Sequence, residues 1–289
     1  MQTTLVNNPS GAVMAINSRK LERFPFGLVT NSPDASVSLI AYGANGPISM
    51  SISGEGSAEV FAFGMQNTGA CRIKLSLMDG QQLRALSNAA LNASTIFGDG
   101  LTPYPLPEPL LVDALRRIVV EYVNLSGSVN AVRIFGLSRR NGKSHNDENL
   151  KIARKKQAPQ EFLSLPYFYT FDAGVAVLTA NQTAEFVMTI GHDNHFLMSQ
   201  ISGVSTGLYD LNIVDVATGE SIMNAPQGAN YGLSSGLIVG SANYPFCLTE
   251  PRLFQIGQKI LCRLTDKSAA SNTIYLTFGG RAIADRMWR

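Results

Sequence analysis

His192-Asp193-Asn194-His195 is the most ligand-like cluster in the chain. Two imidazoles and a carboxylate resemble a zinc set, but zinc takes three or four ligands and no fourth is adjacent in sequence. In a strand, moreover, residues i and i+3 point to opposite faces. The tetrapeptide therefore reads as a polar hairpin turn, and His145 stands apart in a charged stretch. Cys71, Cys247 and Cys262 are an odd set, read as reduced and inert, with Cys262 aligned on the apolar Val120. No G-x-S-x-G elbow, H-E-x-x-H, P-loop or dinucleotide fingerprint occurs. Paired carboxylates for glycoside hydrolysis need only be close in space, but acids are scarce. Glu108 and Glu250 each precede a proline in the same local pattern, which reads as a structural turn used twice. The expectation is a protein that is not an enzyme, with no catalytic residue, metal or cofactor. Sugar binding is the chemistry left open, because exposed aromatics stack on sugar rings. Tyr104 and Tyr244 are the candidates for it, with Tyr167, Phe168, Tyr169 and Tyr231 also available.

The elements that would carry these side chains form an internal duplication. Tyr104-Pro105 … Glu108-Pro109 is echoed by Tyr244-Pro245 … Glu250-Pro251. From the Glu-Pro pair onward, an offset of 142 places Leu111 on Leu253, Ile118 on Ile260, Ser126 on Ser268, Asn130 on Asn272 and Arg139 on Arg281. Upstream, an offset of 136 places Ala44-Asn45 on Ala180-Asn181 and Leu75 on Leu211. The difference implies six residues inserted in the second copy, mostly around 220–243. Each copy shows short runs of alternating or continuous apolar residues, such as Arg72–Leu77, Arg117–Tyr122, Tyr209–Val214 and Lys259–Leu264, punctuated by Gly, Asn, Pro or Asp. The pattern predicts an all-β chain of two tandem antiparallel sandwiches, jelly-roll-like or immunoglobulin-like. A short helix is expected over Gln81–Asn92, with no helical counterpart in the second copy.

Of the 289 residues, 45% are hydrophobic and only 15% charged, with a formal net charge of +2. That excludes a disordered chain and gives no global field for nucleic acid. No apolar run approaches the ~18 residues of a membrane span, so no membrane partner is expected, and the first twenty residues do not read as a secretion signal. The chain divides into an N-terminal arm (1–20), a first domain (21–140), a basic polar linker (141–163) and a second domain (164–289). Arg154, Lys155 and Lys156 in the linker are candidates for contact with DNA or an acidic partner, although a solvated connector also needs charge. Trp288 could plug a partner subunit or pack on its own domain.

The repeated run of Pro–x–Glu-Pro, a strand, an Asn/Asp–x–Ser turn, Asn, a strand, Gly and Arg resembles tandem β-sandwich proteins of tailed-bacteriophage particles, namely capsid-associated, collar and tail accessory subunits. That resemblance implies a non-enzymatic virion protein that assembles in the host cytoplasm with copies of itself and other virion proteins. Sandwich edges must be covered, charged or paired, and a low-charge chain has few charged gatekeepers. The alternative is a receptor- or glycan-binding accessory module.

Overall fold

The computed structural model describes residues 4–7, 13–16, 23–27, 38–40, 45–51, 58–79, 81–112, 116–126, 130–140, 164–223 and 232–284. The expected linker, with Arg154, Lys155 and Lys156, and Trp288 lie outside them. In the arm, β1 (Thr4–Asn7) and β2 (Val13–Ile16) form an antiparallel hairpin. The first copy comprises β3 (Arg23–Gly27), β4 (Ser38–Ile40), β5 (Asn45–Ser51), β6 (Ala58–Asn67), β7 (Cys71–Asp79), β8 (Gln82–Ala85), β9 (Leu91–Asn92), the one-turn α1 (Ala93–Ile96), β10 (Tyr104–Val112), β11 (Arg116–Asn124) and β12 (Asn130–Arg140). The second comprises β13 (Ser164–Tyr169), β14 (Ala176–Leu178), β15 (Thr183–Thr189), β16 (Asn194–Ser205), β17 (Tyr209–Asp215), β18 (Leu233–Ser234), α2 (Ser235–Ile238), β19 (Phe246–Phe254), β20 (Lys259–Asp266) and β21 (Asn272–Ala284).

Strand order decides the topology. One sheet of the first copy runs β10-β6-β12-β3, with β4 also on β12, and the other β5-β11-β7-β8, with β9 also on β7. The second copy repeats this as β13-β21-β16-β19, with β14 also on β21, and β15-β20-β17-β18. Taking β3 with β4 and β8 with β9 as single interrupted strands, each sheet interleaves early and late strands in the order of a jelly roll. An immunoglobulin arrangement is thereby excluded. Alternation fills the sandwiches: along β20, every second side chain from Ile260 to Asp266 is buried. Ile73, Leu75, Leu77, Ile118 and Val120 meet Val60, Phe63, Val132 and Ile134 in one core. Leu211, Ile213, Ile260, Cys262 and Leu264 meet Ile201, Ile274, Leu276 and Phe278 in the other. Each fully buried aliphatic or aromatic side chain contributes about 1.5–3 kcal/mol.

Pairing registers correct the sequence alignment. Val120 lies opposite Leu75, and Cys262 opposite Ile213, so the upstream equivalence is Leu75 with Ile213, an offset of 138 and not 136. A two-residue slip preserves the inward face, which is why apolar spacing alone did not expose it. The second copy thus gains four residues, between β17 and α2. Tyr104 lies opposite Phe63, and Phe246 opposite Ile201, so the partner of Tyr104 is Phe246 and not Tyr244.

The Glu-Pro pairs are not turns. They lie in β10 and β19, at the edges of their sheets, where residues 106–109 and 248–251 bulge out of the ladder opposite Phe61 and Ser199 respectively. A bulged edge asks for no N–H from proline, and proline there blocks further strand addition. Nor is Gln81–Asn92 a helix, because pairing of β8 and β9 with β7 overrides the helix propensity of its Gln, Leu and Ala. The helical turns are α1 and, against expectation, its equivalent α2. After each turn, Gly98 and Gly240 sit so close to the carbonyls of Thr102 and Tyr244 that a Cβ would overlap them.

The Asn/Asp–x–Ser segments are side-chain-closed turns. Asn124 Oδ1 accepts from Ser126 N and Oγ at 2.9 and 2.7 Å. At the equivalent position, Asp266, 1% exposed, accepts from Ser268 N and Oγ and Asn272 Nδ2 through Oδ1, and from Asn181 N through Oδ2. Burial alone would raise its pKa, but the hydrogen bonds from Ser268, Asn181 and Asn272 outweigh it and hold the carboxyl at about 2. A depressed folded-state pKa stabilises above the ordinary carboxylate range and ceases to do so as pH falls through the folded value. Thermal melts of Asp266→Asn should therefore lie below wild type at pH 7, with the gap closing between about pH 4 and pH 2. Gly98→Ala and Gly240→Ala should each destabilise by at least about 2 kcal/mol in denaturant titrations, because backbone must move.

Candidate functional site at the domain junction

β13 belongs to the second jelly roll through pairing with β21, yet its alternating side chains serve both cores. Phe168 points into the first core and meets the ring of Tyr104 edge-on at 5.9 Å, while Tyr169 points into the second and meets Phe196 at 4.6 Å. The free edge of β13 is closed by the first domain. Phe168 N donates to Leu86 O at 2.9 Å and Asn88 N to Phe168 O at 3.2 Å, around a parallel bridge between Ser87 and Phe168. A sheet of each domain is thus joined through backbone hydrogen bonds.

Polar side chains complete the seam. Asn88 bonds Thr170 twice, Nδ2 donating to its carbonyl and Oδ1 accepting from its amide, both at 3.0 Å. Thr95 of α1 shares a 2.6 Å hydroxyl–hydroxyl bond with Thr277, and its carbonyl accepts from Ser202 Oγ at 2.6 Å. Tyr104 Oη donates to Gln200 Oε1 at 3.0 Å. At the rim, Asn243 Nδ2 donates to Asp99 Oδ2 at 2.8 Å and Asp99 N to Asn243 Oδ1 at 3.2 Å. The amides of Thr102 and Leu101 hold the Asp99 carboxyl below the usual carboxylate range.

Beside the seam opens a cleft of about 520 Å³. Strand β8 supplies Leu83, Arg84 and Ala85, β13 supplies Leu165, Tyr167 and Tyr169, and the turn into β16 supplies Gly191, Asp193 and Asn194. Tyr167 and Tyr169 stack obliquely at 4.8 Å, and Tyr169 Oη accepts from Gly191 N at 2.9 Å. Burial raises both phenol pKa values; the neighbouring Asp193 charge adds to the rise, and Tyr169 also acts on Tyr167. Both phenols therefore stay protonated at neutral pH and act as neutral hydrogen-bonding groups.

The sequence candidates fare unequally. Tyr104 is 0% exposed, so it offers no face to a sugar; its ring fills core and its hydroxyl joins the seam. Tyr244 is 62% exposed but lies on the loop beside Asn243, apart from the cleft lining. Of His192-Asp193-Asn194-His195, only His192 and Asp193 lie in the turn, while Asn194 and His195 begin β16; Asp193 and Asn194 line the cleft. Among the described residues, no three His, Cys, Asp or Glu side chains are grouped to hold a metal ion. Cys262 occupies the place of Val120, and burial pushes its thiol pKa up; Cys71, also buried, is raised to about 11. Arg84 carried no sequence signal, because its place in the cleft depends on which strand lies across from β8.

No protein-family model matches the chain, and no curated protein matches it. Among solved structures, it is similar to the STIV MCP, at 9% identity and TM-score 0.39, over 91% of this chain and 97% of that one. It is also similar to PNGase F, a glycosylasparaginase from Flavobacterium meningosepticum, at 8% identity and TM-score 0.31, over 91% and 96%. A third is the PBSX exported protein XepA, at 11% identity and TM-score 0.24, over 97% and 99%. At such TM-scores none of these likenesses carries an argument about function.

The seam itself is testable. Asn88→Ala strips Thr170 N and O of their partners and should cost about 1–3 kcal/mol. Calorimetry should show a lower melting temperature, and hydrogen exchange should show faster opening at residues 86–88 and 168–170.

Proposed function

We propose that this chain is a non-enzymatic structural subunit of a virus particle, a capsid- or neck-associated building block of a bacteriophage that assembles with copies of itself. The observation that carries this reading is the seam. A closed symmetric assembly repeats the same contacts around the particle, and a fixed angle between the two domains of a subunit favours that repetition. A strand shared by two cores, backbone pairing across the join and bonded polar side chains supply that rigidity. The two rim loops bridged by Asp99 and Asn243 also present Leu101, 94% exposed, and Tyr244, 62% exposed. Apolar side chains displayed in this way are surface for a neighbouring copy to cover. The resemblance of the repeated sequence pattern to phage tandem-sandwich subunits supports the same reading. Within it, Arg154, Lys155 and Lys156 contact packaged DNA or an acidic neighbour, and Trp288 contacts an adjoining subunit.

Density-gradient fractionation of the native source, read by mass spectrometry, tests the proposal. The chain should sediment with DNA-filled particles at a fixed stoichiometry. Recovery only as a small free species at the top of the gradient would overturn it. In the purified protein, Leu101→Asp with Tyr244→Asp should weaken self-association in sedimentation velocity while leaving the β circular dichroism unchanged.

A further inference from the structure

We infer that the cleft between β8, β13 and the turn into β16 is a binding site for a neutral saccharide. This inference is independent of the structural role proposed above. The cleft falls within the size range of small-ligand sites, at about 300–1,000 Å³. Its lining is divided in the way a sugar ring requires. Leu83, Leu165, Ala282 and the ring of Tyr167 offer apolar surface to the C–H face. Arg84, Asp193, Asn194 and the phenols of Tyr167 and Tyr169 offer donors and acceptors to ring hydroxyls. Tyr169 Oη already accepts from Gly191 N, so its proton is free to point at a ligand acceptor. Side-chain carboxylate and amide adjoin in Asp193-Asn194, a pair that can accept from one hydroxyl and donate to the next. Among the described residues, the lining holds one guanidinium and one carboxylate, and their balance favours an uncharged ligand over an anionic or cationic one.

The cleft also has fixed walls. β8 is held by β7, and β13 is tied both to β21 and to residues 86–88. The polar groups are thereby placed before a ligand arrives, which lowers the ordering cost of binding.

Isothermal titration and saturation-transfer NMR on the full chain, using maltotetraose, cellotetraose and chitotetraose, test the inference, with sialyllactose as the acidic comparison. At least one neutral tetrasaccharide should bind. Asp193→Ala and Arg84→Ala change exposed residues, so their fold should survive; each should weaken that binding about ten-fold, the loss of one hydrogen bond to a charged group. Tyr167→Ala should abolish it, with circular dichroism confirming the fold, whereas Tyr244→Ala should leave it unchanged. Absence of binding by every neutral sugar, binding of sialyllactose alone, or wild-type affinity in both Asp193→Ala and Arg84→Ala would overturn the assignment.

Discussion

The double duty of one strand, Ser164–Tyr169, constrains the rest of the molecule. Its hydrogen bonds to β21 make it part of the second jelly roll, while Phe168 completes the core of the first. A strand has two faces and two edges, and all four are engaged here. Neither domain can turn on the other without pulling Phe168 out of a packed core and breaking the bonds at Leu86 and Asn88. The seam and the cleft beside it both follow from this arrangement.

Polar side chains around that strand determine how specific the seam is. Each neutral hydrogen bond adds only about 1 kcal/mol net, but an unpartnered buried group costs more than that. Thr95, Thr170, Gln200, Ser202 and Thr277 are all buried and all bonded, so any other domain angle would leave several of them unsatisfied. Ser87 has no bonded partner for its hydroxyl among the described residues, at the point where the two sheets meet. The seam therefore selects one orientation chiefly by penalising the others.

The two halves share the same solutions to local problems, carried by different residues. The side-chain-closed turn uses Asn124 in one copy and Asp266 in the other, so the second carries a charge at this position. The proline-bearing edge strands bulge at the same register in both copies. The paired residues Tyr104 and Phe246 differ by one hydroxyl. In the first copy that hydroxyl reaches Gln200 across the seam, because β10 faces the other domain.

All-β character, duplication and the inward positions of the central strands were determined by sequence alone, because alternation with period two and repeated turn residues are local signals. Those signals put Leu75, Ile118, Ile213 and Cys262 at apolar strand positions, and the structure buries them. Edge strands rich in proline stayed hidden, since proline reads as a turn until a bulge in a neighbouring ladder is known. The offset of 138, the pairing of β8 with β7 and the jelly-roll order needed registers between strands far apart in the chain. Tyr104 looked like an exposed platform and became core, whereas Arg84, Tyr167 and Asp193 became neighbours. Only tertiary structure could decide this, because a strand's sequence tells which residues share a face but not what that face meets.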